Sequence, residues 1–468
     1  MDDQKSQTCS PRLVASTGDI YQASITESQA REEAALNGAA GNGVDYRSSV
    51  KSKTNRPSSN VFRSVEWIAD GTTLLAVSED NCVRTFIAPP DLLTSPTVHP
   101  LLPYSISPLP STPYCISPYP FASLSNPSAA VFLTSLHSHP IQLRSLLYPH
   151  ITGTYPLIHT ETEKYLIPYS LAWTPYGTHF LAGTDSQIHL FDVSRANQGP
   201  IETYTTGKKR KKSSSANRQP DESNVRGIVS SLAIHPETHA LAAGTYSRRV
   251  LLYSSPWQDA ELLASINLNN TAAALPSLRK AGLSNSNSAS HTDVRDAAKG
   301  GGVTSLSFTT SGMHLLIAER KSGVLHIYDL RDMTQPYALL TGREALNNQK
   351  IGASIGLFAD SPDMVVSGGN DGIVRAWEPF ASAACDTQRE SEGGIFANLK
   401  EWRAAEDPVT AAAVHPSGSV VATSSGQRKR SSLSSAGSDR ESDESNDDSD
   451  GDGVSSGVWD NAIRIWAL

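Results

Sequence analysis

The chain has 468 residues, with 39 Lys and Arg against 47 Asp and Glu and a formal net charge of −8. It has no apolar run near the roughly 20 residues of a membrane helix, and no charged-then-apolar leader at its start. The four cysteines, Cys9, Cys82, Cys115 and Cys385, show no CxxC spacing, so a reducing compartment is expected and a structural zinc site is not. Residues 428–456 hold eight of the acids and four of the bases, which is half of the net charge. The remaining body is only mildly acidic and leaves room for a local basic patch.

Residues 1–60 are rich in Ser, Ala, Asn and Gly and lack a sustained apolar pattern, so they are expected to be mostly disordered. Ordered structure is expected over 61–468. The stretch Ser64 to Phe86 (SVEWIADGTTLLAVSEDNCVRTF) sets a template of strand, turn, strand, turn and strand. Ala130 to Leu146 looks like a degenerate copy. Ser170–Phe191, Ser231–Tyr253, Ser305–Tyr328 and Ser354–Trp377 repeat the template. Val409 to Gln427 begins one more copy, and Val458 to Trp466 completes it beyond the acidic insertion.

Most copies end alike: a polar turn residue, then an aromatic six positions later. The pairs are Asp80–Phe86, Asp185–Phe191, Ser247–Tyr253, Ser322–Tyr328, Asp371–Trp377 and Asp460–Trp466. A recurrent unit that cannot bury both faces alone stacks on its neighbours. The period is that of WD-type repeats, one propeller blade each. The expected fold is therefore all-β: a WD-repeat β-propeller of about seven four-stranded blades. Asp80, Asp185, Asp371 and Asp460 are expected to hold tight turns by accepting backbone N–H bonds. Arg84, Arg375 and Arg464 share one blade position, which suggests packing or strand solvation.

The chain ends on the third strand of its last blade, which leaves an edge to cover. An N-terminal segment is expected beside it, and Asp19 to Thr26 (DIYQASIT) has the best pattern. Three polar insertions are expected to be disordered, near 205–224, 270–302 and 428–456. The first holds Lys208, Lys209, Arg210, Lys211 and Lys212. That run reads as a nuclear localisation signal, a phosphate-binding loop or a solvated loop. The last holds Ser438 and Ser445, each with an acid three residues on, which suits an acidophilic kinase; plain low-complexity solvation is the other reading.

Several stretches go beyond a generic repeat. They are FRSVEWIADGTTLL (Phe62 to Leu75), SEDNCVRTFIAPPDLL (Ser78 to Leu93), HPIQL (His139 to Leu143) and DLRDMTQPYALLTGREALNNQKI (Asp329 to Ile351). HPSGSVVATSSGQR (His415 to Arg428), broken by an acidic segment before its final strand, is another. In these the chain resembles the telomerase Cajal body protein family, including its fungal splicing-linked branch. The resemblance runs from about Phe62 to the end. It implies a nuclear RNA-binding scaffold that assists ribonucleoprotein biogenesis or localisation, in telomere maintenance or mRNA splicing. The implied partners are small nuclear, small Cajal body-type or telomerase RNA and the proteins of those particles.

No constellation argues for an enzyme. GxSxG, Walker A and HExxH patterns are absent, and the His-Pro pairs at His139, His235 and His415 read as turns rather than metal ligands. No cofactor, metal, membrane or small-molecule substrate is expected, and the chain is expected to be a monomer. RNA binding needs Lys and Arg at phosphates and planar groups for bases. Arg343 and Lys350, which the blade repeat does not explain, are the first candidates, with Gln349 as a base-edge partner. A loop salt bridge between Arg343 and Glu344 is the structural alternative. At the level of function the alternative is a protein-only WD-repeat adaptor in a nuclear complex.

Overall fold

The computed structural model describes residues 11–21, 60–207, 224–255, 260–270, 291–358, 361–378, 394–427 and 460–468. Strand β1 is Arg12–Ser16. Blade 1 comprises β2 (Phe62–Trp67), β3 (Thr73–Ser78), β4 (Cys82–Ile87) and β6 (Pro103–Pro108), with β5 (His99–Pro100) in the β4–β6 connection. Blade 2 is β7 (Cys115–Pro118), β8 (Val131–Ser135), β9 (Ile141–Ser145) and β10 (Ile151–Tyr155). Blade 3 is β11 (Ser170–Trp173), β12 (His179–Gly183), β13 (Gln187–Asp192) and β14 (Glu202–Thr205). Blade 4 is β15 (Val229–Ile234), β16 (Leu241–Thr245), β17 (Arg249–Tyr253) and β18 (Leu262–Asn267).

Helix α1 (His291–Ala297) precedes blade 5, which is β19 (Val303–Phe308), β20 (His314–Glu319), β21 (Leu325–Asp329) and β22 (Ala338–Leu340). Blade 6 is β23 (Ala353–Phe358), β24 (Ser361–Ser367), β25 (Ile373–Trp377) and β27 (Lys400–Arg403). In its β25–β27 connection, β26 (Gly394–Phe396) pairs with β22 of blade 5. Blade 7 is β28 (Val409–Val414), β29 (Val420–Ser425), β30 (Ile463–Ala467) and, as its fourth strand, β1. The seven sheets form a ring in which the first strand of each lies innermost.

The core lies between blades rather than within them. Leu181, Ile188 and Leu190 of blade 3 pack on Val229, Leu232 and Leu241 of blade 4. Polar links on the inner strands run the same way. Ser170 Oγ donates to Val229 O (2.8 Å), Ser230 Oγ to Val303 O (2.7 Å), and Ser354 Oγ to Ala412 O (2.8 Å). At the seam between blades 7 and 1, Thr410 Oγ1 donates to Phe62 O (3.0 Å) and Trp67 Nε1 to Ala413 O (3.1 Å). His235 and His415 also bridge neighbours, with Nε2 on Gly312 O and Gly71 O, each at 2.9 Å. Both glycines have positive φ, and a Cβ on either would overlap the imidazole. His139 does not share this role: it lies in the turn between the second and third strands of its blade and contacts His137 O.

The last blade closes with an N-terminal strand, Arg12–Ser16; of the expected segment Asp19–Thr26, residues 22–26 lie outside the described residues. Leu13 pairs with Trp466 and Ala15 with Ile465, which buries Val14 and Ala15. Those two apolar residues seal the edge, and beyond them Ile20 bridges to Asn461 with buried Tyr21 beside it. β5 then pairs with the outer side of β1, so the β4–β6 connection of blade 1 also locks blade 7. Arg12 fastens it by donating to Ser95 O and Leu93 O.

The expected insertion at 270–302 is shorter than anticipated. Val294 and Ala298, one helical turn apart, are buried, and Val294 packs against Leu339. This apolar pair docks α1 on blade 5. The inner strand of blade 2 is Cys115–Pro118, twelve residues before β8, so the degenerate unit starts earlier than Ala130.

Candidate nucleic-acid interface at the channel mouth

In an antiparallel meander, turns alternate between the two ends of the strands. The connections between blades and the turns between second and third strands therefore share one face, here called upper. The first turn and the last turn of each blade share the lower face. On the inner strands, half-buried residues alternate with buried ones: Ser64 and Glu66 on β2, Cys115 and Ser117 on β7, Ser305 and Ser307 on β19, and Ala411 and Ala413 on β28. That alternation sets their side chains toward the central channel.

On the upper face three tyrosines cluster near the channel mouth. Tyr114 and Tyr169 immediately precede the inner strands of blades 2 and 3 and meet edge to face at 5.3 Å. Tyr246 lies in the second turn of blade 4 and Arg320 in the equivalent turn of blade 5. The Arg320 guanidinium stands 5.4 Å from the Tyr246 ring centre. Burial pushes the Tyr169 phenol up, with Tyr114, Asp185 and Tyr246 close enough to add to the shift. Tyr114 and Tyr246 are exposed, and Tyr169 and Arg320 half-buried. Arg226, Lys321 and Lys350 are exposed on the same face.

Lys350 lies in the β22–β23 connection and reaches the channel electrostatically. Burial pushes the carboxyl of Glu66 up to about 7 even with Lys350 acting to lower it. Lys350 also acts on Cys115, whose thiol burial pushes up to about 12. That thiol is therefore protonated and a poor nucleophile at neutral pH. Gln349 is half-engaged: its Nε2 donates to Gly426 O (3.2 Å) and its Oε1 accepts from Asn347 (2.8 Å).

Arg343 takes a different position from its neighbour. It is buried, and its guanidinium donates to Glu319 O and Ile351 O, with burial pushing its pKa down to about 10. It braces the loop through backbone carbonyls rather than through Glu344, and no phosphate can reach it in this conformation. Lys208–Lys212, Ser438 and Ser445 lie outside the described residues.

The turn aspartates have a more specific partner than backbone N–H groups. Asp80 accepts from Arg84 Nη2 (2.6 Å), Asp371 from Arg375 Nη2 (2.7 Å) and Asp460 from Arg464 Nη2 (2.7 Å). The three arginines are thus buried ion-pair partners rather than strand-solvating groups. Asp371 also accepts from Ile373 N and Asp460 from Glu406 N. In blade 3 His189 stands where the arginine would be, and Asp185 accepts from Ser186 Oγ instead (2.9 Å). Spacing alone did not identify the tyrosine cluster. A usable signal was nonetheless present, since Tyr114 and Tyr169 each directly precede a first strand.

Among the described residues no group of three or more His, Cys, Asp or Glu is placed to hold a metal ion, and no helix is long and apolar enough to cross a membrane. The family model described as "WD domain, G-beta repeat" matches residues 158–192. The guanine nucleotide-binding protein negative regulator 1 of Schizosaccharomyces pombe is 26% identical over 327 residues, covering 68% of this chain and 70% of that protein. Telomerase Cajal body protein 1 of Mesocricetus auratus is 24% identical over 401 residues, covering 85% of this chain and 64% of the relative. The Homo sapiens protein of that name is 23% identical over 374 residues, covering 79% and 57%. The chain spans less than two thirds of the length of these two mammalian relatives. It is a WD-repeat β-propeller homologous to telomerase Cajal body protein 1 and to the fungal negative regulator.

Proposed function

We propose that this chain is a non-catalytic nuclear scaffold that binds single-stranded RNA across the upper face of its propeller, over 61–468. The arrangement of Tyr114, Tyr169, Tyr246 and Arg320, on the same face as exposed Lys350, carries the reading. Unpaired bases stack on aromatic rings and guanidinium planes, at about 1–3 kcal/mol per base, while exposed Lys and Arg take the phosphates. In this reading Lys350 takes a phosphate and Gln349 a base edge, and Arg343 holds their loop in place.

The RNA classes favoured are small nuclear, small Cajal body-type and telomerase-type, in ribonucleoprotein biogenesis or localisation. The names of the mammalian relatives support this, and they support a nuclear site. The Lys208–Lys212 run is the proposed import address, and Ser438 and Ser445 are the proposed phosphorylation sites. In-cell ultraviolet crosslinking, with sequencing of the attached RNA and mapping of the crosslinked peptides, tests the reading. Crosslinks at Tyr114, Tyr169 or Tyr246 to small structured RNAs are expected. Background RNA on a folded protein would leave the protein-only adaptor.

A further inference from the structure

The two faces of the ring differ sharply in charge. None of the seven turns between first and second strands contains a Lys or Arg. These turns ring the lower mouth of the channel, and among the described residues they contribute Asp70 and Glu237. Among the described residues the outer lower connections add only Arg195 and Arg331 as bases, and Arg331 is already paired with Asp329 at 2.6 Å. Arg226, Arg320, Lys321 and Lys350 all belong to the upper face. An RNA backbone is therefore repelled from the lower face, and a cation is attracted to it.

Among the described residues on the channel wall Glu66 is the single carboxylate. Glu66 lies one residue before the lower end of β2, half-buried, among uncharged wall residues such as Ser64, Ser117, Ala172, Ser307 and Ala413. Among the described residues its carboxylate makes no hydrogen bond or ion pair; Lys350 influences it only at longer range. A half-buried carboxylate without a donor is costly to retain unless something completes it. Exposed Phe121, Tyr176 and Met313 sit on the lower rim, where ring faces and a thioether suit an aliphatic stem and a cationic head. On the same lower face, at the seam of blades 7 and 1, a groove of 530 Å³ is lined by Trp67, Asp70, Ala88, Leu92 and His415. It gives residues flanking an inserted side chain a place to lie.

We infer that the lower channel mouth is a docking site for a basic segment of a protein partner, one Lys or Arg side chain of which enters the channel to pair with Glu66. The site lies on the opposite face from the RNA surface, so the ring would hold RNA on one side and protein on the other.

The test uses the full chain, immobilised, and three synthetic nonapeptide pools with random flanks and a fixed centre of Arg, Lys or citrulline, the neutral isostere of Arg. Wild type is expected to retain the Arg and Lys pools at least tenfold over the citrulline pool. Glu66→Gln should erase that preference. Ser64→Lys, which sets an amine on the same strand face two residues away, should erase it too, and it serves where Glu66→Gln fails to fold. Equal retention of all three pools by wild type, or an unchanged preference in a folded variant, overturns the inference. Retained RNA crosslinking alongside lost peptide preference separates its failure from that of the RNA reading.

Discussion

The Arg248 guanidinium and the Glu319 carboxylate face each other across the seam of blades 4 and 5, with Nε to Oε1 at 2.7 Å and Nη2 to Oε2 at 2.8 Å. Glu319 is wholly buried. Burial works against its charge, but the hydrogen bonds from Arg248 and the His326 imidazole 3.3 Å away more than offset that, and its pKa falls below the usual carboxylate range. Arg248→Met leaves this charge uncompensated, at a cost of about 3–5 kcal/mol in urea unfolding. Arg248→Met with Glu319→Leu should recover part of the loss. Because the folded pKa is depressed, the contribution of Glu319 is present above the unfolded carboxyl pKa, near pH 4.5, and fades as pH falls further.

The Asp–Arg pairs four residues apart should rank by burial. Arg84 is 0% exposed, and its guanidinium also lies 5.3 Å from the Tyr21 ring centre. Asp80→Ala strands that charge and should cost about 3 kcal/mol. Asp185 has no arginine partner, so Asp185→Ala should cost less than about 1 kcal/mol. Chemical denaturation of the two variants checks the order; equal losses would show that the Asp80 carboxylate works through its turn alone.

Ring closure depends on Val14 and Ala15, both buried against β30. Val14→Asp puts a charge into the seam cluster around Phe62, Leu101 and Ile465. It should lower stability by about 3 kcal/mol or more. Removing residues 1–16 should do more, since it bares the β30 edge and releases β5. Size-exclusion chromatography should then show association through the open edge. A truncated chain that stays monomeric with unchanged melting would contradict this account of closure.

Two buried groups give opposing pH slopes. Burial pushes His189 down to about 4, so its contribution is complete above the unfolded imidazole pKa of 6.5 and is lost as pH falls toward 4. His314, pushed down by its own burial, adds in the same direction. Glu66, pushed up to about 7, acts oppositely: stability present below 4.5 is lost as pH rises to about 7. Each slope is at most about 1.4 kcal/mol per pH unit. Relative to wild type, Glu66→Gln should therefore gain stability as pH climbs from 4.5 to 7, and His189→Gln should lose it from 4 to 6.5. Parallel pH profiles for all three proteins would show that neither group titrates as described.

The blades were legible because a strand period and a turn residue recur at fixed spacing, and such patterns are local. The arginine partners of the turn aspartates are equally local: their shared blade position suggests packing or strand solvation, and the three are buried. Arg84 is buried because Asp80, in the turn just before its strand, pairs with it. Closure by an N-terminal segment was legible in outline, because the repeat of the last blade offers three strands for a four-stranded sheet. Its residues were not, because the five-residue β1 carries only two buried apolar side chains. The tyrosine cluster joins blades 2, 3 and 4, whose spatial neighbourhood no single repeat encodes.

Arg343 and Lys350 separate the structural from the functional role of one loop. Arg343 is 3% exposed and spends its guanidinium on Glu319 O and Ile351 O, so Arg343→Glu buries an acid against two carbonyl oxygens. That change should cost about 3–5 kcal/mol. It should reduce RNA crosslinking only as far as it reduces the folded population. Lys350→Glu changes an exposed side chain and should leave melting within about 0.5 kcal/mol of wild type. It should weaken RNA binding and reduce the salt slope by about one phosphate equivalent. Tyr246→Ala should instead lower affinity with little change in that slope, because stacking releases no counterions. A Lys350→Glu protein that binds RNA with the wild-type salt dependence would remove the channel mouth from the interface and leave the RNA, if bound, elsewhere on the ring.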